Sequence, residues 1–112
     1  MNVQHQQLAA GKWQELSLIE QLANIGSEVE RALNWQEKGD SDYSRQAFFR
    51  ALELLDLSLN DPKNTTGLTE LARLREVLAD YFYFGNQYGS SKNQWRKYFY
   101  SFNYAASLAR GR

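Results

Sequence analysis

Proline occurs once in this chain, at Pro62, and glycine falls between the periodic apolar segments, with Gly26 the exception. Proline and glycine are the residues that most often interrupt a helix. A chain with so few interruptions can carry long amphipathic segments, and the punctuation divides it into four helices with short connections.

The first helix starts near Ser17. Ser17 and Glu20 have the S-x-x-E spacing of a capping box, in which each side chain satisfies a free backbone N–H of the first turn. Leu18, Leu22, Ile25, Val29, Ala32 and Leu33 recur at helical spacing and form one stripe, and Gly39 ends the segment. Gly26 sits mid-helix at a cost of about 1 kcal/mol relative to Ala, which a close approach by a neighbouring helix can offset.

The second helix follows Asp40 or Ser41 and runs to about Asn60. Ala47, Phe48, Ala51, Leu52, Leu55 and Leu59 form its main face, and Tyr43, Leu54 and Leu57 widen that face to most of the circumference. So broad an apolar surface suggests the central helix. Pro62 stops it and biases Asp61 away from helical angles.

The third helix spans roughly Gly67 to Phe84, with Leu71, Leu74, Leu78, Tyr81 and Phe82 on one face and Val77 and Phe84 off it. Arg75 and Asp56 each border an apolar face and can form an ion pair that sets the register of the second and third helices. After the turn GNQYG, Ser91 and Gln94 repeat the capping-box spacing. Trp95, Phe99, Phe102 and Ala106 then form the stripe of the fourth helix, with Tyr98 and Ala109 beside them.

No segment alternates with period two for long enough to make a strand, and no internal repeat is evident. The expected fold is all-α: an antiparallel up-and-down four-helix bundle. A flexible leader covers residues 1–12 and a single domain covers 13–112. At 112 residues a chain can bury one apolar core without a staple. No apolar run approaches the roughly 20 residues of a membrane span, and the N-terminus has no basic-then-apolar secretory pattern, so a cytoplasmic location is expected.

Recognisable catalytic chemistry is missing. There is no cysteine, and the one histidine, His5, lies in the leader. No Ser–His or Cys–His pair, Glu-x-x-His ligand set or phosphate-binding glycine loop can be assembled. Glu76 and Asp80 share a helix face at i, i+4 and read as a solvated acidic surface. No enzyme activity, metal or cofactor is expected.

The charge distribution is lopsided. Residues 1–85 hold eight Lys and Arg against thirteen Asp and Glu, a sum of −5, whereas residues 86–112 hold five cations and no acid, a sum of +5. Residues 81–104 also contain eleven of the sixteen aromatic residues. On the fourth helix the Trp95 stripe leaves a second face holding Arg96, Lys97, Tyr100 and Tyr104, which is the candidate binding site. That face can pack inside the monomer beside acidic neighbours. It can also form a protein interface, where Tyr and Arg are enriched, or stack unpaired bases and neutralise phosphate. Trp95 reads as core. Trp13 and Trp35 read as locally packed, with a partner surface as the alternative.

The helix pattern, the chain length and the basic, aromatic last helix resemble the HEPN type of prokaryotic helical bundle. They are also similar to the S23-related four-helix proteins encoded in ribosomal RNA intervening sequences. The HEPN nuclease motif places a His shortly after an Arg. Here Arg96 is followed by Ser101, Phe102 and Asn103 at the corresponding distances, so no nuclease residue carries over. The resemblance implies a non-catalytic member that binds a partner protein or RNA. The expected function is a small interaction module that contacts another protein or forms a homo-oligomer. Nucleic-acid binding through Arg96, Lys97, Tyr100 and Tyr104 is the alternative, and no small-molecule substrate is evident.

Overall fold

The computed structural model describes residues 11–110, so most of the expected leader and the last two residues lie outside the described residues. Four main helices follow in order: α1 (Leu18–Glu37), α2 (Ser41–Leu59), α3 (Leu68–Tyr83) and α4 (Lys92–Arg110). A 3-10 segment, Pro62–Gly67, joins α2 to α3. No strand occurs among the described residues.

The helix ends follow local chemistry. Ser17 caps α1 in a reciprocal capping box with Glu20. Asp40 caps α2 by accepting the Tyr43 N–H, and Gly39 before it adopts φ +80°, a left-handed angle suited to a helix end. Asp61 is extended (φ −80°, ψ 117°) ahead of Pro62, as a residue preceding proline tends to be. At the start of α4 the Ser91 hydroxyl accepts the Gln94 N–H and Gln94 Oε1 accepts the Ser91 N–H, so the second capping box forms too.

Successive helices run antiparallel. Between α1 and α2, Glu28 meets Arg50 and Ala32 O accepts the Ser44 hydroxyl. Between α2 and α3, Asp56 meets Arg75 at 2.7 Å and Phe48 meets Phe82. Between α3 and α4, Glu70 accepts the Tyr98 hydroxyl and Tyr81 packs on Trp95. The bundle closes where α4 returns antiparallel to α1. The helix backbones approach most closely in the pairs α1·α2 and α1·α4, whereas α3 and α4 meet mainly through side chains.

The central helix is therefore α1, not α2 as its broad apolar face suggested. Small residues explain the difference. Ala32 is fully buried where α1 meets α2, and Gly26 lets α4 approach so closely that an added Cβ would lie 2.8 Å from Phe99 Cβ. On α2, by contrast, Tyr43 is exposed and Leu54 and Leu57 are only half-buried. Ile25, Leu33, Leu55, Leu71 and Leu78 form the driest part of the core, each contributing on the order of 2 kcal/mol of burial.

A buried polar hub joins the end of α2 to the start of α1. Gln21 is completely inaccessible on the core side of α1. Its Nε2 donates to Asp61 Oδ2 (2.8 Å) and to the Trp13 carbonyl (3.0 Å). Its Oε1 accepts from the Ser58 hydroxyl (2.8 Å) and from Asn64 Nδ2 (2.9 Å). The Ser58 hydroxyl also accepts from Trp13 Nε1 (2.9 Å), which pins Trp13 into the core. Every member is satisfied, the condition under which a buried polar network fixes a unique packing.

Burial opposes ionisation of Asp61, but hydrogen bonds from Lys63 and Gln21 outweigh it and hold the carboxyl below its ordinary value of 3.8. A depressed folded pKa contributes stability that is present above the ordinary value and is lost as pH falls through the folded one. Asp61→Asn is therefore expected to destabilise the protein at neutral pH, and its deficit should shrink as the pH drops below 3.8. Thermal melts across an acidic pH series test this, and a deficit that stays constant with pH would refute the assignment.

Candidate interaction surface on the last helix

The turn before α4 is built by α3. Asp80 accepts the backbone N–H groups of Gln87 (2.8 Å) and Tyr88 (3.0 Å), one with each carboxylate oxygen. Asn86, at φ 54°, donates to the Ser90 carbonyl and accepts the Ser90 N–H. Gly85 and Gly89, also at positive φ, complete the reversal. This corrects the reading of Glu76 and Asp80 as a solvated pair. Asp80 is buried and organises the loop, while exposed Glu76 accepts the Tyr88 hydroxyl at 2.6 Å and pushes that phenol's pKa up.

Trp95, Phe99 and Ala106 are buried. Trp95 and Phe99 stack with centroids 6.2 Å apart, and Tyr98 and Phe102 border them. Tyr98 is half-buried, and desolvation together with its hydrogen bond to Glu70 moves its ionisation well above the ordinary range. Trp95 and Trp13 are thus both core residues. Trp35 is half-buried against Tyr43, with Lys38 Nζ 5.0 Å from its ring centroid.

The four candidate residues do not act as one group. Arg96 turns toward α1. Its Nε donates to Glu30 (3.0 Å), Nη1 to Glu37 (3.0 Å) and Nη2 to both Glu37 (3.1 Å) and Asn34 (3.0 Å). The Glu37 hydrogen bonds and the Glu30 charge raise the guanidinium pKa, and the same contact lowers that of Glu37. Lys92 adds a longer contact to Glu37, at 3.9 Å. Much of the α4 charge is therefore spent on the acidic α1, as the intramolecular alternative required.

Tyr100 and Tyr104 point outward. They are 64 % and 56 % exposed, with nearly parallel rings (12°) and centroids 6.2 Å apart. Lys97 is exposed beside them and makes no ion pair among the described residues. Leu108, also exposed, follows Tyr104 by four residues and extends the stripe. An open groove of about 360 Å³ runs along the α1–α4 seam, with Gly26, Phe99 and Tyr100 in its lining.

A second exposed aromatic group escaped the sequence reading. Phe49, Tyr83 and Phe84 are 45 %, 55 % and 62 % exposed. The Phe49–Tyr83 centroids lie 6.2 Å apart and the Tyr83–Phe84 centroids 5.3 Å apart. The signal was present in Phe48-Phe49 and Tyr81-Phe82-Tyr83-Phe84, because neighbouring residues on a helix point about 100° apart and cannot all face the core.

Among the described residues, no three His, Cys, Asp or Glu side chains lie close enough to share a metal ion, and no helix is long and apolar enough to cross a membrane. Comparison with protein-family models, with curated proteins and with solved structures returned no match.

Proposed function

We propose that this chain is a non-catalytic helical-bundle module that works in the cytoplasm by contacting other protein, and that the outward face of α4 is one contact surface. The observation that carries the reading is the pair of stacked, exposed tyrosines on a helix otherwise anchored to the core. Tyrosine supplies large, rigid contact area at low entropic cost, and exposed aromatic groups of this kind mark interfaces. The HEPN-like, motif-free architecture is part of the same proposal.

Arg96 weighs against nucleic acid as the partner. A phosphate backbone is bound by several cations acting together. With Arg96 held by Glu30 and Glu37, Lys97 is left as the cation beside the tyrosines. Arg96 instead serves to fasten α4 to α1 and so positions the tyrosine face.

A photo-crosslinking residue at position 104, irradiated in the native host, tests this reading. The expected result is a discrete protein adduct that resists nuclease and disappears with Tyr100→Ala. Arg96→Ala should lower the melting temperature by a few degrees, and less so in high salt. Adducts that vanish on nuclease treatment would overturn the choice of protein over nucleic acid.

A further inference from the structure

The second aromatic group sits among charges arranged for a particular occupant. One stripe of α2 carries exposed Arg45, exposed Phe49 and half-buried Glu53 at successive i, i+4 positions. Phe49 is extended laterally by Tyr83, the last residue of α3, and by Phe84 just after it. Arg45 lies over the Tyr83 ring at 6.0 Å, and neither Arg45 nor Glu53 forms an ion pair among the described residues. The stripe thus reads cation, aromatic, anion, in equal steps.

Such a stripe is complementary to itself when reversed. In an antiparallel helix pair related by a two-fold axis, residues equidistant from the axis face each other. With the axis at Phe49, the two Phe49 rings meet. Arg45 of each copy then faces Glu53 of the other, so two ion pairs flank an aromatic centre. One step further out, Asp42 would approach Asp56 of the second copy, but Asp56 already holds Arg75 at 2.7 Å and its charge is compensated. The face of α4 offers no such symmetry, because α4 carries no acid to pair with Lys97 of a second copy.

The area is also adequate. Taking about 200 Å² for a whole aromatic side chain, the exposed parts of Phe49, Tyr83 and Phe84 present roughly 300 Å² per copy. Two copies bring about 600 Å² of aromatic surface to the centre of an interface. That leaves a polar rim to supply the rest of the roughly 1,200 Å² that a stable dimer buries.

We infer that the α2–α3 aromatic patch is a homodimer surface, in which a second copy packs antiparallel across Phe49 with reciprocal Arg45–Glu53 pairs. This names one partner for the protein-contact reading on which it rests, and it places that partner on a different face from the tyrosines of α4.

Sedimentation velocity and light scattering of the full chain, from about 1 µM to about 1 mM, decide it. The wild type should approach a mass of about 26 kDa, twice the 13.0 kDa of one chain. Arg45→Glu, Glu53→Arg and Phe49→Ala should each weaken association about tenfold or more with unchanged circular dichroism. The double swap Arg45→Glu with Glu53→Arg should recover wild-type association to within about threefold, because it restores both pairs with reversed polarity. Tyr100→Ala with Tyr104→Ala should leave the dimer intact, so failure of the α4 reading and failure of this one are separable. A monomer at every concentration, a dimer indifferent to the three single variants, or a double swap that restores nothing would each overturn the inference.

Discussion

Gln21→Ala is expected to destabilise this protein by about 3 kcal/mol, enough to lower the melting temperature by roughly 10–15 °C. The effect comes from what the amide leaves behind. Gln21 offers both ends of its side chain inside a site closed to solvent, and its partners cannot turn to water when it is gone. Asp61 would lose a donor to its carboxylate, and the Ser58 hydroxyl and Asn64 amide would each lose an acceptor. A buried group left unpaired costs about 1–3 kcal/mol, more when charged, and the vacated volume adds a cavity cost. Gln21→Glu separates polarity from volume. It keeps the shape but sets a second carboxylate against Asp61, so its defect should be larger at neutral pH than under acid. Urea denaturation of both variants measures the effect. A loss below about 1 kcal/mol for Gln21→Ala would mean that water replaces the amide and that the hub is not closed.

Gly26→Ala carries the second large effect, and its sign is informative. On an isolated helix the change would be favourable by about 1 kcal/mol. Here the new methyl would lie 2.8 Å from Phe99 Cβ and 2.9 Å from Phe99 Cγ and Cδ1. These atoms belong to a buried side chain close to its own backbone, so α4 as a whole must shift. Overpacking of this kind costs about 1–3 kcal/mol, so after the helix-propensity gain a net loss of up to about 2 kcal/mol is expected. Shrinking the other partner should return part of it. Phe99→Leu is destabilising by itself, yet combined with Gly26→Ala the total loss should be smaller than the sum of the two single changes. A Gly26→Ala variant more stable than wild type would show that α1 and α4 are not in such close contact.

Much of the architecture was legible because it is local. Ser17 with Glu20 and Ser91 with Gln94 announced helix starts through side chains three residues apart, and both capping boxes form. Pro62 and Gly39 announced ends through their own backbone preferences. The stripes of Leu18–Leu33 and Leu71–Leu78 named core positions, since apolar residues repeating with the helix period have one face to share. The cost of Gly26 within α1 pointed to a close neighbour, and Phe99 is that neighbour.

The polar hub was not legible, although Gln21 lies beside Leu18 and Leu22 on the apolar side of the helix. One glutamine on such a stripe has no meaning until Ser58, Asp61 and Asn64 are brought around it from 37 to 43 positions away. Asp80 was misread for a related reason. Its i, i+4 relation to Glu76 is visible along the helix, but the loop N–H groups that claim its oxygens appear only when the chain reverses.

The sequence by itself determined that this chain makes four amphipathic helices, where each starts, where the first three stop, and which main stripes turn inward. Capping, backbone preference and hydrophobic period act over a few residues and survive in any context. Only the tertiary structure decided how the remaining groups are used. It handed Arg96 to Glu30, 66 positions away, left Tyr100 and Tyr104 facing outward, and gathered Phe49 with Tyr83 and Phe84 beside Arg45. Charge pairing and exposure depend on which distant surfaces meet, and that follows from the packing of whole helices rather than from the spacing of residues along any one of them.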